Sequence, residues 1–72
     1  MSEEIAISTE YIQLGQFLKL ANVLETGGMV KVFLADYEVF VNGELENRRG
    51  RKLYPGDEVV IEEVGTFIVK GS

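Results

Sequence analysis

The densest group of side chains with chemical potential is a basic run from Asn47 to Lys52, which reads Asn-Arg-Arg-Gly-Arg-Lys. It holds four of the seven basic residues of the chain, including every arginine: Arg48, Arg49, Arg51 and Lys52. A guanidinium presents a planar fork of donors that matches two phosphate oxygens at once, which an ammonium cannot do. The run therefore predicts a phosphate-binding site. The alternative, a solvated loop paired with Glu44, Glu46 and Glu58, is equally open on these residues.

Basic charge is scarce in the rest of the chain. Twelve acidic residues stand against seven basic ones, which gives a formal net charge of −5. Outside the basic run there are three lysines: Lys19, Lys31 and Lys70. An acidic body repels phosphate elsewhere and confines binding to the run. Lys19 and Lys31 contribute to this site only if the fold brings them beside the run.

Catalytic chemistry has few residues to draw on. The chain has no histidine and no cysteine, which excludes catalytic triads, thiol chemistry and the usual zinc sites. The glutamates at 44, 46, 62 and 63 are expected on solvated strand faces, as surface charge. Gly27-Gly28 lacks the spacing of a nucleotide-binding glycine loop. We expect no enzymatic activity, no metal, no cofactor and no small-molecule substrate.

Composition predicts one cytoplasmic domain spanning residues 1–72. The apolar fraction of 46% is typical of a chain with a packed core, and 72 residues suffice for a single one. The absence of cysteine fits a reducing compartment. The start, Met1-Ser2-Glu3-Glu4, is acidic and lacks the basic and apolar regions of a signal peptide. No apolar run approaches the ~20 residues of a membrane span, so we expect no membrane partner.

Two short helices are predicted in the first half. Apolar residues at helical spacing indicate a helix from about Gln13: Leu14, Phe17, Leu18, Ala21 and Leu24. The segment 25–28 (Glu-Thr-Gly-Gly) is expected to end it, with Thr26 placed to cap the next helix. A second stripe indicates another helix to about Asp36: Met29, Val30, Phe33 and Leu34. Helices this short need a surface to pack on.

Strands are predicted in the second half and at the start. Segment 39–41 with the adjoining Asn42-Gly43 is a strong hairpin signal, with a return strand from Glu44. The segment 54–57 (Tyr-Pro-Gly-Asp) indicates a type II turn. Segments 59–61 and 67–69 indicate further strands, the last expected to pair with Ile5-Ala6-Ile7. The fold class is α+β, with a two-helix hairpin packed on a small, mostly antiparallel sheet. The basic run falls in a loop of this sheet.

The aromatic residues give a weak signal for base stacking. Phe17, Phe33 and Phe67 fall on apolar stripes and are expected in the core, whereas Tyr37 and Phe40 are candidates for outward positions. Single-strand binders present exposed aromatic rings to bases. If a nucleic acid binds here, recognition of shape and backbone is favoured over reading of individual bases.

The order of these elements resembles the RNA-binding domain named after ribosomal small-subunit protein four. The resemblance lies in the helical hairpin, in 38–43 (Glu-Val-Phe-Val-Asn-Gly) and in 55–59 (Pro-Gly-Asp-Glu-Val). Three segments are similar to a stand-alone, YaaA-like branch: 14–19 (Leu-Gly-Gln-Phe-Leu-Lys), 26–31 (Thr-Gly-Gly-x-x-Lys) and 42–53, which contains Arg-Arg-Gly-Arg-Lys-Leu. The likeness covers about residues 5–64.

The resemblance implies a non-catalytic protein that binds structured, ribosomal RNA through its helical face and the adjoining loop. It further implies a bacterial ribosome-assembly or ribosome-associated factor, with the large ribosomal subunit or its precursors as partner. Phosphate contacts carry over to Lys19, Lys31, Arg48, Arg49, Arg51 and Lys52. Gln16 and Asn42 are expected to add polar contacts, and Gly27 and Gly28 to let the backbone approach closely.

Two alternative functions come from other classes. Asn42-Gly43 and 56–59 (Gly-Asp-Glu-Val) are also similar to ubiquitin-like sulfur carriers. Those carriers react through a terminal Gly-Gly, whereas this sequence ends Gly71-Ser72, and its first half predicts helices where they have a β-hairpin. The second alternative is a protein-binding adaptor that uses an exposed sheet edge, which predicts no salt-sensitive affinity for RNA.

Overall fold

The computed structural model describes residues 2–71, so Met1 and Ser72, which belong to the predicted domain, lie outside the described residues. Within them the elements occur in this order: β1 (Ser2–Ile7), β2 (Ile12–Gln13), α1 (Leu14–Leu20), a 3-10 helix (Gly27–Met29), α2 (Val30–Asp36), β3 (Val39–Val41), β4 (Glu44–Leu45), β5 (Lys52–Leu53), β6 (Glu58–Ile61) and β7 (Gly65–Gly71). The predicted α+β class, with two helices and a small sheet, is confirmed.

Five strands form the main sheet, in the order β1-β7-β6-β3-β4. The pairs β7–β6, β6–β3 and β3–β4 are antiparallel, and β1 pairs with β7 in parallel. The predicted pairing of the last strand with Ile5-Ala6-Ile7 is confirmed, with Ile5 opposite Val69. A separate antiparallel pair, β2 with β5, was not predicted.

Both predicted turns are present and are joined to each other. Asn42 and Gly43 have φ of 52° and 85°, the positive values that a two-residue hairpin turn of type I′ requires. In the second turn Gly56 has φ of 98°, and Asp57 N–H donates to the Tyr54 carbonyl at 3.0 Å. The Asn42 amide nitrogen donates to Asp57 Oδ1 at 3.1 Å, and its oxygen accepts from Glu58 N–H at 2.9 Å. One side chain therefore connects the two turns.

The first helix is shorter than predicted. It ends at Leu20, and Asn22 takes the left-handed conformation with φ of 62°. Val23 N–H then donates to the Leu18 carbonyl at 2.9 Å and Asn22 N–H to the Lys19 carbonyl at 3.0 Å, the bonding pattern of a Schellman motif. The helix therefore stops before the Glu-Thr-Gly-Gly segment that was predicted to end it, although Leu24 is still buried.

The second helix starts differently from the prediction. Thr26 stands at the N-cap with an extended backbone, but its side chain makes no capping hydrogen bond, so the predicted cap is wrong. Residues 27–29 form a 3-10 turn, which has three residues per turn and shifts the phase of the side chains. Met29 is consequently 50% exposed and not on the apolar face.

The core joins the helices to the sheet. Its buried members are Ile7, Leu14, Phe17, Leu18, Leu24, Val30, Leu34, Val39, Val41, Leu53, Val59, Ile61, Phe67 and Val69. The Phe17 ring of α1 meets the Phe67 ring of β7 edge to face, with centroids 6.4 Å apart. Phe33, predicted to be core, is only partly buried. Across the described chain, no helix is long and apolar enough to cross a membrane.

Candidate nucleic-acid interface

A buried carboxylate, Glu46, lies at the base of the loop that carries the basic run. Its exposure is 6%, and it is the one charged residue in the core of the described chain. Oε2 accepts from the backbone N–H of Arg48 at 3.1 Å and from Arg48 Nε at 3.0 Å. Oε1 accepts from Arg48 Nη2 at 3.2 Å and from Arg51 Nη1 at 2.8 Å. The prediction that Glu46 is solvated surface charge is therefore wrong, because two arginines fold back over it.

The two arginines set the charge state of Glu46. The side-chain hydrogen bond from Arg48 is the largest cause that lowers the pKa of Glu46 from 4.5 to about 2, with Arg51 adding to it and burial opposing it. Glu46 in turn raises the pKa of Arg48. The carboxylate therefore stays ionised at neutral pH. Since Arg48 is still 74% exposed in its side chain, it keeps donors available to a further anion.

The loop is also fastened to the start of α1. A helix leaves its first N–H groups without partners inside the helix. Here Leu14 N–H donates to the Arg51 carbonyl at 2.8 Å and Gly15 N–H to the Arg49 carbonyl at 2.9 Å. Within the loop, Arg51 N–H donates to the Arg48 carbonyl at 3.2 Å. The basic run is therefore an ordered turn that is bonded to a helix terminus and differs from a freely solvated loop.

Gly15 lets the basic run come this close to α1. A Cβ built at Gly15 would lie 3.2 Å from Val30 Cγ1 and 3.4 Å from both the Cβ and the carbonyl oxygen of Arg49. The first of these separations is tighter than almost all real Cβ contacts, so a side chain here would push against α2 and the loop together. Gly15 is thus the point where α1, α2 and the basic run meet.

Arg49 brings together the helical residues that sequence predicted for the site. It borders one open depression together with Lys31 of α2. It borders a second with Gln16 and Lys19 of α1 and with Gly27. The Lys19 ammonium lies 3.6 Å from the position that a Cβ on Gly27 would take. The fold therefore meets the condition under which the two lysines contribute to the basic run.

The remaining cations of the basic run border a third depression, beside the second. Arg48, Arg51 and Lys52 lie around it together with Tyr54. Gly50 borders both this depression and the one that Arg49 shares with α1. The six basic residues thus lie along one face of the molecule, with the buried Glu46 beneath the loop. We call this the basic face: Lys19, Lys31, Arg48, Arg49, Arg51 and Lys52.

Two of the sequence-predicted contacts lie outside these depressions. Gly28 lines none of them, and a Cβ built on it would meet only Thr26 Oγ1, at 3.9 Å. Asn42 has both polar atoms of its side chain bonded within the protein, to Asp57 and Glu58. Its amide therefore has a structural use that competes with an RNA contact.

Sequence reasoning names Glu46 as surface charge or as a partner of a solvated loop. The pairing is confirmed, but the burial of Glu46 is missed, although its spacing of two and five residues from Arg48 and Arg51 is an available signal. Tyr11 and Tyr54 are not singled out by the sequence. They lie 5.9 Å apart between ring centroids, with the Lys52 ammonium 4.9 Å from the Tyr11 ring. Tyr11 precedes β2 and Tyr54 follows β5, and strands of two residues are too short to show the alternation that predicts a strand.

Comparison with known proteins identifies the family of the chain. A model of the S4 domain family matches residues 5–70, past residue 64 where the resemblance had been placed to end. A relative from Bacillus subtilis (strain 168), named as a probable ribosome maturation protein, RlbA, is 61% identical over 69 residues. That alignment covers 96% of this chain and 97% of the relative. Because both matches span nearly all of its length, the chain belongs to the S4 domain family.

Proposed function

We propose that this protein is a non-catalytic, cytoplasmic factor of ribosome maturation that binds structured ribosomal RNA through the basic face. The large ribosomal subunit or its precursors are the proposed partner. Residues 1–72 act as a single RNA-binding domain. Phosphates are bound by the six cations of the basic face, with Gln16 and the open backbone at Gly27 beside them.

The observation that carries the proposal is the fixed basic run. Its four cations are clustered on a turn that Glu46 and the first amides of α1 hold in place. A preordered site loses less conformational entropy when it binds. Acidic surface elsewhere disfavours phosphate. In a chain with a net charge of −5, the clustering of every arginine within residues 48–51 favours a site that binds an anion.

The relative supports the biological setting. A protein so similar along its full length, named for ribosome maturation, makes ribosomal RNA the first class of ligand to test. The S4 domain family match leaves the sulfur-carrier alternative without support. The adaptor alternative has no specific observation in its favour, and it predicts no salt-sensitive affinity for RNA.

Salt-titrated binding to ribosomal RNA transcripts and to precursor particles tests the proposal. Four basic side chains that do not bond Glu46 are the ones to neutralise: Lys19, Lys31, Arg49 and Lys52. Each phosphate interaction that a variant removes should reduce the slope of log affinity against log salt by about 0.7–0.9. Replacing Arg48 or Arg51 is less informative, because either change takes a cationic partner from the buried Glu46 and destabilises the turn.

Lys70→Ala is the matched control. Lys70 is an exposed lysine whose ammonium lies 3.8 Å from Glu4 on the β1–β7 pair, and it borders none of the three depressions around the basic run. It should leave both affinity and salt slope unchanged, while Arg49→Ala weakens binding in a folded protein. Wild-type protein that binds neither the transcripts nor the particles, or binds with no salt dependence, would refute the proposal and favour the adaptor.

A further inference from the structure

The short β2–β5 pair presents one face to solvent next to the basic run. Its register places Ile12 opposite Leu53 and Gln13 opposite Lys52. Continued by one step, the same register places Tyr11 opposite Tyr54. Side chains alternate between the two faces of a strand, so the buried Leu53 points inward while Lys52 and Tyr54 point outward. Two tyrosines and a lysine thus share the outer face of this ribbon.

The backbone at each of the two tyrosines is held by a hydrogen bond from or to a side chain. Tyr54 N–H donates to Asp57 Oδ2 at 2.8 Å, and the Tyr11 carbonyl accepts from Thr9 Oγ1 at 2.7 Å. The rings are tilted by 45° with centroids 5.9 Å apart, and Lys52 Nζ lies 4.9 Å from the Tyr11 centroid. The Tyr11 ring therefore lies beside the Tyr54 ring and within cation–π distance of Lys52.

Tyr54 is the more exposed of the two tyrosines, at 45% against 38% for Tyr11, and it forms a wall of the depression that Arg48, Arg51 and Lys52 border. Asp57 also borders this depression, but both of its carboxylate oxygens accept hydrogen bonds within the protein. Tyr54 and the three cations offer a π-face and phosphate donors at one place. That combination fits a nucleotide, whose base stacks on the ring while its phosphate meets the cations.

We propose that Tyr54 stacks on an unpaired base of the RNA and that Tyr11 is the residue that positions it. This inference rests on the proposed function and adds to it: phosphates of a helical segment lie on the basic face, and a bulged or looped-out nucleotide enters the depression at Tyr54. Bases inside a duplex cannot reach such a ring, so the site selects RNA that has an unpaired nucleotide beside a helix.

The plainer explanation is that the two tyrosines only stabilise the ribbon. Tyrosine to phenylalanine changes keep the ring for either role, so they do not separate the two explanations. RNA structure does. The probe is an RNA hairpin with a single bulged nucleotide, compared with the same hairpin without the bulge. Wild type should prefer the bulged hairpin by on the order of 10-fold, the typical cost of deleting one base–aromatic stack.

Three variants locate the effect. Tyr54→Ala should remove the preference while the salt slope is unchanged, because no charge is removed, and Tyr54→Phe should keep it. Tyr11→Ala should reduce the preference in part. Tyr37→Ala is the control, since Tyr37 is another exposed tyrosine, stacked on Phe33 at the end of α2 with centroids 4.5 Å apart.

A second readout does not depend on how the variants fold. With 2-aminopurine at the bulge, binding of wild type should change the fluorescence in the way that stacking on an aromatic ring does. Equal affinity for both hairpins with no fluorescence change overturns the stacking site while leaving RNA binding intact. Failure to bind any RNA in a salt-dependent manner overturns the proposed function as well, so the two failures are distinguishable.

Discussion

At the scale of single residues, Glu46 decides what the basic run can do. Three arginines and a lysine within five positions repel one another, and an unanchored loop would spread into solvent. Glu46 compensates two of them from beneath and accepts four hydrogen bonds from the turn. Because the carboxylate is buried under the turn, an anion that approaches from solvent meets the guanidinium groups first. The structure thus confirms internal pairing of the loop with Glu46 and leaves it compatible with the proposed anion site.

Glu46→Gln is the variant that tests this anchor. It should lower the melting temperature at pH 7 by about 4–8 °C, the equivalent of roughly 1 kcal/mol in a domain of this size, because the arginines lose an ionised partner. Since the folded pKa of Glu46 is about 2 and its ordinary value 4.5, the stabilisation is fully present above pH 4.5. It is lost as the pH falls from 4.5 towards 2.

The measurement is thermal unfolding of wild type and Glu46→Gln across that pH range. The difference between the two proteins should shrink as the acid protonates wild-type Glu46. A difference that stays constant down to pH 2 would show that the carboxylate charge is not the source of the stability. Glu25→Gln, an exposed glutamate before the 3-10 helix, supplies the control for a general change of net charge.

At the scale of elements, the connection between the two turns positions the start of β6. Asn42 has a left-handed backbone, as the hairpin turn requires. Its side chain also donates to Asp57 and accepts from Glu58 N–H. Asp57 uses its other oxygen to hold Tyr54 N–H. The hairpin turn is therefore linked, through one carboxylate, to the tyrosine that faces the basic run.

Two substitutions separate the contributions of Asn42. Asn42→Gly should lose the hydrogen bonds but keep the left-handed backbone, whereas Asn42→Ala should lose both. Chemical denaturation should find both variants less stable than wild type. Alanine should be worse than glycine by about 1–2 kcal/mol, the cost of a left-handed residue that carries a Cβ. Equal stability of the two variants would contradict the role given to the backbone conformation.

The elements that sequence could predict are those whose cause is local. Asn42-Gly43 and Pro55-Gly56 specify their turns within two residues, and the apolar stripe of α1 needs only its own spacing. The end of α1 was missed because a left-handed Asn22 ends a helix as effectively as the glycines further on.

The missed parts of the site depend on residues that are distant along the chain. The β2–β5 pair has two residues in each strand, too few to show alternation, and it forms only because α1 and the basic run dock together. Burial of Glu46 likewise requires both arginines to fold back. Sequence could therefore name the cations of the basic face and Glu46 as a possible partner, but it could not show that Glu46 is buried or that two tyrosines lie beside Lys52.

At the scale of the whole molecule, six of the seven basic residues border the depressions around the basic run. Glu38 and Glu62 lie at the other end of the β3–β6 pair from Asn42 and Glu58, and there Glu62 N–H donates to the Glu38 carbonyl at 3.0 Å. The charge of Glu38 first, and then a hydrogen bond with its side chain, raise the pKa of Glu62. Ionising Glu62 beside Glu38 therefore costs folding free energy.

Glu62→Gln should consequently raise the melting temperature at pH 7. The sign comes from the raised pKa: an acid that is harder to ionise when folded destabilises the protein once the pH exceeds its unfolded value, near 4.5. The gain should disappear below that pH and become smaller in high salt, where the repulsion is screened. Calorimetry at two pH values and two salt concentrations checks each point. A gain that is independent of pH would contradict the assignment to charge repulsion.

The position of β7 in the sheet determines when the protein can fold during its synthesis. β7 lies between β1 and β6, so β1 has no partner in the sheet until β7 has been synthesised. A nascent chain that lacks β7 leaves β1 unpaired and exposes the core side of Val59 and Ile61. We expect folding to be a late, all-or-none event, in which the basic run becomes ordered together with the rest of the domain. Partial translation products that lack β7 should then be unfolded.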